Sequence, residues 1–225
     1  THAGSTTLAA SCTGTNYTAS GSTTLTVAPK TVTLVLSGLG PIPYDGQPHA
    51  VSVTVSGEVA GFPAAVDVSY DGNAAAPIEV GSYAVIAALA ASASDYAAAP
   101  VAGTLEITVG AAANIAIEGG ASFTGIAGQT LSGALPSVKV TDIGAHPVAG
   151  VTVTFAAAPG NGSLGGAVQT TDANGIATLG GWTLSPTPGS NTATASAAGV
   201  SGTVSFLATG TADASALVVT IDDGR

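Results

Sequence analysis

The chain has 225 residues, of which 7% are charged and 4% aromatic; Lys30, Lys139 and Arg225 face 13 acids, giving a formal net charge of −10. Such a surface repels phosphate backbones and anionic lipid heads, which excludes nucleic-acid binding by the usual electrostatic route. No clean apolar run of about 18 residues exists to insert in a membrane as a helix, and a single cysteine, Cys12, allows no intrachain disulfide.

Taken in chain order, the apolar residues alternate with a period of two. The first such run is Thr23-Thr24-Leu25-Thr26-Val27, with Asn16-Tyr17-Thr18-Ala19-Ser20 before it. Thr31-Val32-Thr33-Leu34-Val35-Leu36, Val51-Ser52-Val53-Thr54-Val55 and Val151-Thr152-Val153-Thr154-Phe155 repeat the pattern. Val and Thr favour a pleated, half-buried surface. The runs are short, end in Gly, Pro, Asn or Asp, and recur roughly every 10 residues, which is the signature of tandem β-sandwiches. Ala-rich residues 84–99 have helix propensity. Residues 83–90 nevertheless follow Gly81 and read as a buried strand, whereas a short helical turn stays open for 91–99.

Seams fall at Ala28-Pro29-Lys30, at 110–113 and at 210–214, where strand ends meet small residues, Pro or Gly. They divide the chain into a stub (1–27), two whole domains (28–109 and 110–209) and a second stub (210–225). The two domains are expected to have separate cores and to meet through a small interface at 110–113. The chain has no Met, even at position 1, and is expected to be a segment of a longer polypeptide; residues 1–10 do not read as a signal peptide.

Ile42-Pro43-Tyr44-Asp45-Gly46-Gln47, Val68-Ser69-Tyr70-Asp71-Gly72, Val80-Gly81-Ser82-Tyr83-Ala84-Val85 and Asp95-Tyr96 occur in that order. This series resembles the MBG or YDG-type repeats of bacterial surface adhesins, over essentially all of 28–109. In it, Asp-Gly supplies the positive φ of a tight hairpin turn. Farther on come Val138-Lys139-Val140-Thr141-Asp142, Pro147-Val148-Ala149-Gly150, Thr171-Asp172-Ala173-Asn174-Gly175, Trp182-Thr183-Leu184 and Asn191-Thr192-Ala193-Thr194-Ala195. These resemble the Big_1-type immunoglobulin-like repeats of invasin and intimin stalks, over about 113–209. Ile143-Gly144-Ala145-His146 departs from the Gly-Asn turn such repeats often carry before Pro. By the same likeness, residues 1–27 are the closing hairpin of a preceding immunoglobulin-like domain. Leu217-Val218-Val219-Thr220-Ile221 is the opening strand of a following one.

Candidate chemistry is sparse. His2, His49 and His146 fall in different segments and read as solvated loop residues. No Gly-x-Ser-x-Gly elbow or phosphate-binding glycine loop is present, so no catalytic residue is assigned. Asp71, Asp142 and Asp172 could offer oxygens to calcium, and Asp172-Ala173-Asn174-Gly175 resembles the start of a calcium loop; lacking further acids, it reads as an Asx turn. Asp222-Asp223 is the junction candidate for the same ion, and no other cofactor is implied. Lys30 and Lys139 would need burial beside Asn or Asp to form an isopeptide bond; Lys139, between Val138 and Val140, is expected to face solvent. Trp182 is expected in a sandwich core, and Cys12 is expected to be a buried thiol or one whose partner lies upstream.

The sequence therefore reads as an all-β chain of tandem immunoglobulin-like sandwiches with partial-domain stubs at both ends. Its expected function is that of a non-catalytic stalk segment of an extracellular bacterial adhesin or filament. The alternative is a binding module that recognises a carbohydrate or a protein through loops or a sheet face. Its expected partners are neighbouring domains or copies of the same array, joined by strand complementation. In that case Leu8, Leu25, Val27, Leu217 and Val219 should be exposed in the isolated chain.

Overall fold

The computed structural model describes residues 2–214, and no α-helix occurs among them. The chain forms two compact units: Thr1–Ile42 with Gln47–Thr108, and Pro43–Gly46 with Val109–Arg225.

The first unit opens with a long antiparallel hairpin, β1 (Gly4–Gly14) and β2 (Tyr17–Val27), paired over its whole length. Next come β3 (Lys30–Thr31), β4 (Thr33–Ser37), β5 (Ile42–Pro43), β6 (Ser52–Ser56) and β7 (Val66–Tyr70). They are followed by β8 (Gly81–Leu89), β9 (Tyr96–Ala97) and β10 (Val101–Thr108). A four-stranded sheet runs β5-β10-β8-β7, with β4-β6 and β3-β9 as separate pairs. Alternation places Val85, Ala87, Leu105 and Ile107 in the core, joined by Leu34 from β4. The expected strand at 83–90 coincides with β8 up to Leu89, where β8 ends. Ala87 is wholly buried there, and sheet packing overrides the helix propensity of alanine. Residues 91–95 form turns instead of helix, with Ala93 N–H donating to the Ala90 carbonyl at 2.8 Å.

Tyr70-Asp71-Gly72-Asn73 makes the expected tight turn. Asp71 has φ 48° and Gly72 φ 82°, and Tyr70 and Asn73 exchange both main-chain hydrogen bonds at 2.7 and 2.8 Å. Two successive positive φ values match the right-handed twist of the flanking strands.

The second unit contains β11 (Asn114–Glu118), β12 (Ser122–Ile126), β13 (Ser137–Thr141), β14 (Thr152–Ala157) and β15 (Ser163–Gly165). It continues with β16 (Val168–Thr170), β17 (Ile176–Thr178), β18 (Gly181–Thr183), β19 (Gly189–Ala197) and β20 (Val204–Thr211). The two main sheets run β11-β13-β17 and β12-β20-β19-β14-β16. Val138 and Val140 from the smaller sheet share a core with Val153, Phe155, Phe206 and Trp182. Trp182 is completely buried, as expected, and its indole N–H donates to the Asn161 carbonyl at 3.1 Å. The expected strand around residues 217–221 lies outside the described residues.

Candidate functional site

A polar cluster in the second unit is built on the turn that follows β13. Asp142 N–H donates to the His146 carbonyl at 3.0 Å, and Ala145 N–H to the Asp142 carbonyl at 3.2 Å. Ala145 takes φ 66°, a left-handed conformation uncommon for a residue with a Cβ. This is how the chain turns through Ile143-Gly144-Ala145-His146.

The Asp142 side chain is fully buried and organises the cluster. Its Oδ1 accepts N–H donors from Gly144 and His146, each at 2.9 Å, and its Oδ2 accepts the Gly110 N–H at 2.9 Å. His146 Nδ1 lies 3.1 Å from both oxygens. An ionised carboxylate only accepts, so Nδ1 is the nitrogen that carries the proton. The Tyr44 ring stands edge-on to the imidazole, centroids 4.7 Å apart at 76°. A Cβ on Gly144 would come within 2.5 Å of that ring, and one on Gly110 would collide with the Tyr44 carbonyl oxygen. Burial pushes the Asp142 carboxyl up, but the donors from Gly110, His146 and Gly144 outweigh it and hold the group below its ordinary range.

These contacts correct two expectations. His146 is not a solvated loop histidine; its side chain is largely buried against Asp142. Asp142 has both oxygens facing N–H donors, an environment built for an anion and unlike the carbonyl-rich shell calcium requires. The available signal was Asp142 standing two residues before Gly144, an Asx-turn pattern, but the Gly110 donor arrives from a distant segment.

The other candidates are dispersed. Asp172 Oδ1 accepts N–H groups from Asn174 at 2.8 Å and Ile176 at 2.9 Å, which makes an Asx turn. Those donors, with Ile176 foremost, lower its carboxyl from the usual value. Asp71 accepts the Ala84 N–H at 2.8 Å. Asp222 and Asp223 lie outside the described residues. No group of three His, Cys, Asp or Glu side chains that could hold a metal occurs among the described residues.

His2 Nδ1 is 2.5 Å from Asp95 Oδ2 at the foot of the β1–β2 hairpin, and this bond, with that of Ala3 N–H, lowers the Asp95 carboxyl. A half-open cleft of about 240 Å³ lies there, lined by Val27, Lys30, Val59, Phe62 and Tyr96 among others. Lys30 is exposed, and Lys139 is half-buried between Val138 and Val140, which are fully buried. His49 N–H donates to the Pro77 carbonyl at 2.9 Å, in the first unit. Cys12 is exposed, not buried, because it belongs to an open hairpin.

Residues 31–111 match the MBG domain family. No curated protein sequence matches the chain. Among solved structures, domains 4 and 5 of the S-layer protein SbsC align at 13% identity over 83% of this chain and 100% of that one, with a TM-score of 0.40. The D00-D0 domain of intimin aligns at 13% identity over 80% and 99%, with a TM-score of 0.39. The adhesin InvE of Yersinia pseudotuberculosis aligns at 17% identity over 80% and 58%, with a TM-score of 0.33.

Proposed function

We propose that this chain, whose residues 31–111 match the MBG domain family, is a non-catalytic, load-bearing segment of a bacterial cell-surface adhesin or filament. The observation that carries the reading is the parallel pairing of β12 with β20, from Ser122↔Leu207 to Ile126↔Thr211. β12 lies near the start of the second unit and β20 near the end of its described part. Tension that draws the two ends apart therefore pulls parallel neighbours in opposite directions along their length. Their hydrogen bonds are loaded together in shear, not broken one at a time. Leu207 N–H to the Ala121 carbonyl and Ala127 N–H to the Thr211 carbonyl, each 2.9 Å, extend the ladder at either end.

The use of polar groups supports the same reading. Asp142, Thr171 and Asn191 are the buried polar side chains among the described residues, and each bonds main chain. Thr171 Oγ1 accepts the Val151 N–H and donates to the Val148 carbonyl, while Asn191 Oδ1 accepts the Ser185 N–H. Side chains engaged in holding turns are not poised for proton transfer or nucleophilic attack.

Single-molecule pulling through the two termini tests the proposal. The second unit should rupture in one step that releases about 30 nm of chain, and at clearly higher force than when the same unit is pulled from the β19–β20 turn. Gradual lengthening, or equal force in both directions, would overturn it.

A further inference from the structure

We propose that the β1–β2 hairpin, with the cleft at its foot, is a docking surface for a β-sandwich that lacks its own closing hairpin. The occupant is carried on the same polypeptide, ahead of β1, and takes β1 and β2 as its last two strands. The inference rests on the hairpin alone and stands even if the load-bearing role fails.

Cross-strand register sorts the hairpin into two unlike faces. Leu8, Ala10, Cys12, Ala19, Leu25 and Val27 share one face, and the other carries only Ser and Thr apart from Ala9. Such sorting has a physical use only if one face is covered. Here it is open, with Leu8 52% and Leu25 49% exposed. Val27 is half-buried because it sits where the hairpin meets the cleft.

The second unit contains a hairpin of the same design in its completed setting. β19 and β20 turn Ala193, Ala195, Phe206 and Ala208 inward and Thr192, Thr194 and Ser205 outward. There β14 pairs the free edge of β19, β12 pairs the free edge of β20, and the inward residues are buried in the shared core. The strand leading into that hairpin also lies in the core, through Trp182 and Leu184.

The edges select the occupant. Two hairpins meeting face to face across chain copies would leave all four strand edges unpaired. A partner that pairs both edges and rests on the cleft satisfies them, as β14 and β12 do for β19 and β20. The cleft continues the apolar face through Val27 and offers Phe62, 60% exposed, and Val59, 45% exposed. No charged side chain occurs between Ala3 and Ala28, so nothing on the hairpin opposes apolar cover. β1 starts at the foot, Gly4 opposite Val27, so chain entering it arrives beside Phe62.

Cys12, on the apolar face, reports the docking. Its alkylation by iodoacetamide is compared in this 225-residue chain and in the same chain extended by the roughly 100 residues encoded immediately ahead of it. The longer polypeptide should react at least tenfold more slowly under native conditions and equally fast in urea. In it, Leu25→Asp should restore fast alkylation and Thr24→Asp, on the polar face, should not, with the Trp182 unfolding transition unchanged in both. Equal native rates in the two polypeptides would overturn the proposal, as would acceleration by Thr24→Asp. Slowing in the shorter chain that grows with its concentration would also overturn it, by assigning the face to a second copy.

Discussion

Replacing Asp142 tests whether a buried carboxylate holds the second unit together. Asp142→Ala removes the acceptor for the main-chain N–H groups of Gly110, Gly144 and His146, and for the His146 imidazole. The Gly110 donor is buried, while the turn donors are partly buried and can recover some hydration. At about 1–3 kcal/mol for each buried donor left unpaired, and less for the others, the loss should be about 3–4 kcal/mol. Asp142→Asn keeps one acceptor oxygen but turns an NH₂ toward N–H groups, so about 2–3 kcal/mol is expected. His146→Ala should be milder, since the main-chain N–H of residue 146 survives. Urea unfolding followed by Trp182 fluorescence isolates the second unit, because this is the chain's single tryptophan and it lies wholly in that core.

The pH dependence has a definite sign. The folded-state value of Asp142 is depressed, so its contribution is complete above the unfolded value of about 3.9 and is lost as pH falls through the lower folded value. The stability gap between the parent chain and Asp142→Asn should therefore be wide at pH 7 and narrow toward pH 2. A loss below about 1 kcal/mol for Asp142→Ala, or a gap independent of pH in this window, would refute the reasoning.

Two glycines of nearly equal φ should separate strain from crowding. Gly199 (φ 78°) has open space around a Cβ, so Gly199→Ala should cost about 1 kcal/mol, whereas Gly175 (φ 75°) would place one 2.5 Å from the Val140 carbonyl oxygen, and Gly175→Ala should cost about 2–4 kcal/mol by the same urea assay. Ala145→Gly relieves a left-handed alanine and should stabilise the second unit by up to about 1 kcal/mol, after allowance for greater freedom in the unfolded chain. Ala127→Pro deletes the hydrogen bond to the Thr211 carbonyl, and pulling should show a lower rupture force while equilibrium stability falls by only about 1 kcal/mol.

Strand positions and tight turns were legible because they depend on neighbours in sequence. The alternation of Val151-Thr152-Val153-Thr154-Phe155 places Val153 and Phe155 inward, and the Asp71-Gly72 pair specifies its turn without reference to anything distant. The Asx geometry of Asp172 is local in the same sense. Asp142 was not legible, because its role depends on Gly110, 32 residues away, and on Tyr44 beyond that. His146 followed the same course: beside Pro147 it looks like a loop residue, and only the buried carboxylate gives it a partner. Of the two expectations for Cys12, a buried thiol and one whose partner lies upstream, the first does not hold in this chain, because the hairpin face that carries it is open.

A chain with only 4% aromatic residues closes a dense core through the way the second unit distributes its volume. Three of the four phenylalanines, Phe123, Phe155 and Phe206, and the single tryptophan lie in this unit, and the Phe206 ring centroid stands 6.3 Å from each of the other two. Ala177, Ala193, Ala195, Ala197 and Ala208 fill the positions beside them. Large rings set against methyl groups let two sheets close on a dense core without many large aliphatic residues, because packing depends on matched volumes, not on average hydrophobicity. The hydroxyl-rich outer faces then need little charge, since Ser and Thr are hydrated without it. The same division of small apolar and hydroxyl residues recurs in β1 and β2, with Leu8 and Leu25 of the apolar face left open. That open face, set against the covered one of β19 and β20, is the contrast on which the proposed docking rests.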